Sequence, residues 1–300
     1  LKKDNLEVSD FKDFTSANLE IIKKITRKYP FDSCDYNIVN LFSWGHFLDC
    51  KWQIYKDRLI IYNFSSDLML FPMGDPFTPA ELKEISDIAV REKLSGNFIL
   101  APDIYILNNT ELADHFQIIP DPCNSDYIYL SEKLAELNGK KLQKKKNLIW
   151  QFKRNYGEYR TELFKEEYFT LCKDLADKWC KDHNDVCDEE KKRELNVLER
   201  AISNHSMLDL KGLLIFCGND VIAFALFSEQ RTEMATIHFE KFNISYKGSA
   251  QLINQETAIH LKNSYKFINR EQDLCMEGLR KSKLSYDPEK QIKTYRLIRS

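Results

Sequence analysis

The sequence predicts an α/β protein of mixed sheets in which one fold is built twice in tandem, and three observations predict it. The chain has 300 residues, more than one hydrophobic core usually organises. Hydrophobic residues make up 43% and charged residues 30%, a globular rather than a disordered composition. The order of helical and strand periodicities in the second half recurs, more loosely, in the first.

In the second half, "YRTELF" (159–164) reads as a strand, and "EEYFTLCKDLADKWCKDH" and "KKRELNVLERAISNH" carry apolar residues three and four apart, as amphipathic helices do. Three short apolar strands follow, broken at the hairpin signal Gly218-Asn219-Asp220 and near Arg231-Thr232. A helix over "GSAQLINQETAIHLKN", a strand "YKFINRE", a helix "LCMEGLRKSKL" and a strand "IKTYRLIR" complete the copy. The first half offers helices at "NLEIIKKITRKY" and "DYNIVNLFSW", strands at "KWQIY", "RLIIYNF" and "DLMLFPM", a helix at "TPAELKEISDIAVREKL" and a strand at "NFILAP". This divides the chain into a first copy over 1–137, a basic connecting helix over 138–157 and a second copy over 158–300.

A formal net charge of −2 gives no bulk attraction to nucleic acid or anionic lipid, so any such binding needs a local patch. The eight cysteines (34, 50, 123, 172, 180, 187, 217, 275) include no C-x-x-C pair and no histidine at ligand spacing. Reduced, mostly buried thiols and no metal are therefore expected. The start "LKKDNLEVSD" has no apolar h-region, and no apolar run approaches a membrane span. The expectation is a cytoplasmic protein without integral membrane association.

The element order resembles the GNAT superfamily of N-acyltransferases, in which a splayed strand pair opens a slot for acyl-coenzyme A beside the loop entering the central helix. The family's loop follows Gln/Arg-x-x-Gly-x-Gly/Ala, and the matching place here reads Ser245-Tyr246-Lys247-Gly248-Ser249-Ala250. Small residues at a helix N-terminus let backbone N–H groups approach a pyrophosphate whose charge the helix dipole favours. Lys247, Gly248, Ser249 and Ala250 are thus the candidate cofactor loop, with Ser245 where the family prefers Gln or Arg. The first copy reads Met73-Gly74-Asp75-Pro76, where a carboxylate repels phosphate and a proline lacks a donor. The first copy is expected to be structural.

Longer ordered stretches, "FDSCDYNIVNLFSW", "SDYIYLSEKLAELNGKKLQKKKN", "HFEKFN" and "INREQDLCMEGLRKSKLSYDP", resemble the phosphatidylglycerol lysyltransferase C-terminal domain family. Its best known members attach lysine from lysyl-tRNA to a membrane lipid and carry transmembrane helices ahead of this domain; none occur here. Cys275 stands where that resemblance leads one to expect a small residue such as Gly.

If "YKFINRE" is the fifth strand of the second copy, its end lies beside the splayed gap. There Asn269 can hydrogen-bond a pantetheine or acyl carbonyl, and Glu271 or Asp273 can hold an acceptor amine or take its proton. Arg270, Arg280 and Lys283 suit a phosphate or carboxylate. The competing reading is an ion-pair network among these charges that locks strand to helix. Simple alternation places His238 and Glu240 on one face of the fourth strand and Phe239 and Lys241 on the other. Glu240 is the favoured base and His238 a core histidine. Lys140, Lys141, Lys144, Lys145 and Lys146, with Lys153 and Arg154, form a run without an acidic residue, either a solvated face or a polyanion track. No base-stacking aromatic stands out among these lysines.

Three classes of function follow. Acyl or aminoacyl transfer to a small-molecule or peptide amine, or to a hydroxyl, ranks first. Its donor stays open between acyl-CoA as cofactor and aminoacyl-tRNA as partner. The alternative is a non-catalytic ligand- or RNA-binding protein that retains the fold.

Overall fold

The computed structural model describes residues 6–183 and 189–300; Cys187 and the first five residues, on which part of the sequence reading rests, lie outside that range. In chain order the first elements are β1 (Lys12–Asp13), α1 (Leu19–Lys28), α2 (Ile38–Phe47), β2 (Cys50–Tyr55), β3 (Arg58–Asn63), β4 (Leu68–Met73), α3 (Pro79–Arg91), β5 (Phe98–Pro102), α4 (Asp103–Asn108), β6 (Phe116–Pro120) and β7 (Asp126–Leu130). Next come α5 (Ser131–Glu136), α6 (Gln143–Tyr156), β8 (Arg160–Leu163), α7 (Phe169–His183), α8 (Glu189–Ser203), α9 (His205–Leu208) and β9 (Lys211–Cys217). The chain ends with β10 (Asp220–Arg231), β11 (Met234–Phe242), α10 (Ser249–Leu261), β12 (Phe267–Asn269), α11 (Glu277–Leu284), β13 (Lys290–Ile292) and β14 (Thr294–Arg299).

Two compact units result. One comprises Leu1–Asp126, Gln272–Cys275 and Gln291–Ser300, and the other Tyr127–Glu271 and Met276–Lys290. Their seven-stranded sheets run β1-β2-β3-β4-β5-β14-β6 and β8-β9-β10-β11-β12-β7-β13. The two orders match position by position. In each, antiparallel strands lead through a helix into a parallel pair, β4 with β5 after α3 and β11 with β12 after α10. An antiparallel neighbour then follows, β14 on β5 and β7 on β12. These are two GNAT-like folds in tandem. The last strand of the chain completes the first sheet, and β7 belongs to the second.

Local chemistry sets the element ends. Thr78 and Glu81 close a reciprocal capping box ahead of α3, with Pro79 in its first turn. Gly218, at φ +61°, and Asn219 make the two-residue turn that brings Cys217 opposite Asp220. The first core gathers Ile60, Tyr62, Met69, Leu82, Phe98 and Leu297. The second gathers Phe152, Ala225, Phe227, Ile237, Leu252 and Ile268 beneath α6 and α10. Among the described residues, no helix is long and apolar enough to cross a membrane.

The expectation of reduced thiols needs correction. Cys34, Cys50, Cys172 and Cys217 are unbridged thiols, but Cys123 and Cys275 form a disulfide within the first unit. Their sequence separation of 152 residues hides the pair from any spacing rule. Folding brings them together: the Leu274 N–H donates to the Cys123 carbonyl, and the Cys275 backbone lies at φ +60°. That left-handed backbone is the kind a glycine adopts most readily.

Candidate active site

The second sheet opens where β11 and β12 part. Their parallel pairing covers Met234↔Phe267, Ala235↔Ile268 and Thr236↔Asn269, while β11 continues to Phe242. On its other side β12 stays tied to β7, through Asn269↔Ile128 and the Arg270 N–H on the Tyr127 carbonyl. His238 and Glu240 of β11, with Arg270 and Glu271 just beyond β12, therefore stand at the mouth of the gap.

A β-bulge decides which way the β11 side chains point. The register passes from Phe227↔Ile237 to Leu226↔Phe239 and leaves His238 as the extra residue. The expected shared face for His238 and Glu240 is thereby overturned. Glu240 falls opposite Ala225, on the face covered by α10, where Asn254 donates to it at 3.4 Å. His238 turns to Ser228 of β10.

Ser228, His238 and Glu271 form a linear chain. The Ser228 hydroxyl lies 2.8 Å from His238 Nε2, and His238 Nδ1 lies 3.0 Å from Glu271 Oε1. The imidazole is fully enclosed, whereas Glu271 keeps 22% of its side-chain exposure. With Glu271 ionised, Nδ1 carries the proton it donates to the carboxylate, and Nε2 accepts from Ser228. Glu271 has a left-handed backbone at φ +58°, and its N–H donates to Asn269 Oδ1 at 2.7 Å. Buried Asn269 therefore helps to hold the carboxylate in place.

The second constellation is cationic. Arg270 donates to Glu240 at 3.0 Å, with 13% and 17% of the two side chains exposed. Burial disfavours the guanidinium charge, but Glu240 and the surrounding tyrosines outweigh that and hold its pKa above the ordinary value. Arg270 also lies over the Tyr286 ring at 4.7 Å, and Lys145 Nζ lies over the same ring at 4.2 Å. Burial, then Arg270, lowers the Lys145 pKa. No carboxylate among the described residues pairs with it.

The other sequence candidates disperse. Lys283 directs its ammonium to the Arg270 and Glu271 carbonyls, bracing the turn. Arg280 lies half-buried on α11. Asp273 is buried in the first unit, where its carboxylate accepts the Cys275 N–H at 2.8 Å. Lys241 pairs with Glu194 at 2.8 Å over the Trp179 ring.

At the mouth of α10, Gly248 takes φ +99°, and a Cβ there would stand 2.5 Å from the Leu148 carbonyl of α6. The Lys247 N–H donates to Tyr156 Oη, and the Ser249 N–H to the Tyr246 carbonyl. Ala250 follows in the first turn of α10. Gly248→Ala is expected to destabilise the protein by about 1–3 kcal/mol, through left-handed strain and displacement of α6. A shift in the urea midpoint at constant m-value would show it.

The sequence matches the family model for phosphatidylglycerol lysyltransferase, C-terminal, over residues 26–298. The chain belongs to this family. As a phosphatidylglycerol lysyltransferase C-terminal family member, it is similar to a solved conserved protein of unknown function from Bacteroides thetaiotaomicron. That likeness has 31% identity, covers 97% of this chain and 99% of the other, and has a TM-score of 0.89. A solved C-terminal domain of a putative lysylphosphatidylglycerol synthetase from Agrobacterium fabrum shares the fold at 16% identity. It covers 95% of this chain and 93% of that one, with a TM-score of 0.67. An uncharacterised protein of Mycoplasmoides gallisepticum is 26% identical over 174 residues; the match spans 57% of this chain and 55% of that protein.

For this family member, reading the sequence missed Ser228, Tyr286 and Trp150. Ser228 was visible as the polar break in "IAFALFSEQ". Trp150 lies close to the lysine run in sequence, and on α6 it stands 70% exposed.

Proposed function

We propose that the second unit transfers an aminoacyl group from aminoacyl-tRNA to an amine or hydroxyl acceptor. The observation that carries this reading is the Glu271–His238–Ser228 chain at the mouth of the β11–β12 gap. The acceptor's nucleophilic atom attacks the ester carbonyl, the bond to the ribose oxygen breaks, and the acceptor's proton is passed to that leaving oxygen. Glu271, partly exposed, takes and returns the proton, while His238 and Ser228 fix the carboxylate and share its charge. Holding the two substrates together in the gap supplies much of the remaining acceleration.

The donor is argued from charge. Lys145 and Arg270 share the Tyr286 ring, and only Arg270 has a carboxylate on it. The charge of an incoming phosphate would offset the burial penalty that lowers the Lys145 pKa. An acyl-CoA pyrophosphate has less to bind at the α10 mouth, because α6 presses on Gly248 and the Lys247 and Ser249 N–H groups are taken.

Lys145→Met tests this. The folded pKa of Lys145 lies below its unfolded value, so its charge costs the fold most below the folded pKa, and that cost fades as pH rises into the ordinary lysine range. The variant should be at least as stable as wild type at neutral pH, yet bind tRNA roughly 10- to 100-fold more weakly, as expected for losing a charge-assisted contact. Unchanged tRNA affinity would contradict the assignment.

A further inference from the structure

The Cys123–Cys275 bridge closes a run of backbone bonds on which the candidate base depends. β7 and β12 pair through Leu130↔Phe267, Tyr129↔Ile268 and Ile128↔Asn269. Beyond the strands the same antiparallel run goes on. The Arg270 N–H donates to the Tyr127 carbonyl, the Tyr127 N–H to the Glu271 carbonyl, and the Leu274 N–H to the Cys123 carbonyl. The bridge follows at once, its two Cα atoms 4.7 Å apart, inside the ordinary span of a disulfide. Glu271 is therefore held from both sides, by the ladder before it and by the bridge four residues after it.

The backbone so held is costly to keep. Glu271, Leu274 and Cys275 are all left-handed, at φ +58°, +50° and +60°, and residues other than glycine keep that conformation only where their surroundings impose it. Gln272 donates to Asp35, and Asp273 accepts the Cys275 N–H at 2.8 Å. To these hydrogen bonds the bridge adds a covalent tie.

The bridge also lies within reach of solvent: Cys275 is exposed and Cys123 half-buried. Cys50 and Cys172, by contrast, are buried, and burial pushes both thiols up to about 12, where little thiolate forms at neutral pH. An aminoacyl-tRNA donor, the reading on which the cellular role of this bridge rests, belongs to a compartment rich in small thiols. Disulfides that form there are mostly transient and redox-sensing.

We propose that the Cys123–Cys275 bridge is a reversible thiol-exchange switch that sets the activity of Glu271. A small thiol of the glutathione class attacks Cys275 Sγ as its thiolate. A mixed disulfide forms on Cys275, the bond to Cys123 breaks, and Cys123 leaves as a thiolate that takes up a proton. A second thiol attacks the small-thiol sulfur of the mixed disulfide and releases Cys275 as a thiol. Two small thiols are oxidised to one disulfide, and the protein gains two electrons and two protons. With the bridge open the left-handed segment relaxes, Glu271 loses the tie on its far side, and transfer slows. Cys123 and Cys275 act through Glu271 and are positioning residues.

The test compares wild type with Cys123→Ser and Cys275→Ser in mixtures of reduced and oxidised glutathione. Differential alkylation read by mass gives the fraction bridged, and single-turnover loss of the aminoacyl ester gives the rate. The rate should follow the bridged fraction reversibly and fall roughly 100-fold when the bridge is fully open, the order that misplacing a reacting group costs. The loss should fall on that rate and not on KM. Both serine variants, checked for folding by thermal unfolding, should stay at the slow rate in every mixture, which ties the response to this pair of cysteines. Backbone hydrogen exchange over 270–275 should quicken when wild type is reduced, a readout that needs neither donor nor variant.

A bridge that the glutathione mixtures do not open, or that opens without quickening exchange over 270–275, overturns the inference. A loss confined to KM, or fast redox-insensitive transfer by the serine variants, overturns it as well. The two readings fail separately. No discharge of aminoacyl-tRNA by either form, with exchange over 270–275 still following the bridge, removes the donor reading and leaves the redox tie on Glu271 standing. Discharge at one rate with the bridge open or closed does the reverse.

Discussion

Glu271→Gln is expected to leave a folded protein whose transfer rate falls roughly 100- to 10,000-fold, the range that a positioned general base contributes. The substitution keeps the size of the side chain and an oxygen that can accept from His238 Nδ1, so the 3.0 Å contact survives while the basic carboxylate is lost. Single-turnover loss of the donor, measured beside urea unfolding, separates chemistry from folding. A large stability loss with normal activity per folded molecule would make Glu271 a brace and not a base. His238→Asn gives a second readout, because the pH dependence of transfer should change if the imidazole shares the proton and stay fixed if it only packs.

Glu240 is expected to behave in the opposite way. Glu240→Gln leaves Arg270 charged, only 13% exposed and without its carboxylate. Breaking one side of a buried pair costs about 3–5 kcal/mol. Activity per folded molecule should then fall far less than for Glu271→Gln. The double variant Glu240→Gln with Arg270→Met should recover most of the lost stability, since both members of the buried Glu240–Arg270 pair lose their charge, while losing affinity for the phosphate-bearing donor. Chemical denaturation of the single and double variants checks the first point, and tRNA binding the second. A Glu240→Gln protein of wild-type stability would show that Arg270 does not depend on Glu240 for its compensation.

These opposed outcomes show what was legible in the sequence. Periodicity and turn chemistry located β9 to β11 and α10, and Gly218-Asn219 marked the hairpin, because those signals are local. The stretch "INREQD" was readable as charge at a strand end. Arg270 makes an ion pair, whereas Glu271 meets a histidine. The pairing could not be foreseen because the bulge at His238 depends on how β10 and β11 register, and alternation along one strand carries no record of that. The exchange of β7 and β14 between sheets and the Cys123–Cys275 bridge are equally non-local. Gly248 was read as a small residue that lets a pyrophosphate approach the backbone. What approaches it is the Leu148 carbonyl of α6.

The most direct test is discharge of the donor by the whole protein. Aminoacyl-tRNA and acyl-CoA would be presented in parallel with a host small-molecule and lipid extract as acceptor, and wild type compared with Glu271→Gln. The account predicts that wild type accelerates loss of the aminoacyl ester, that the label moves to an amine or hydroxyl in the extract, and that Glu271→Gln does neither. Consumption of the acyl-CoA thioester in place of the aminoacyl ester, or equal discharge by both proteins, would contradict it.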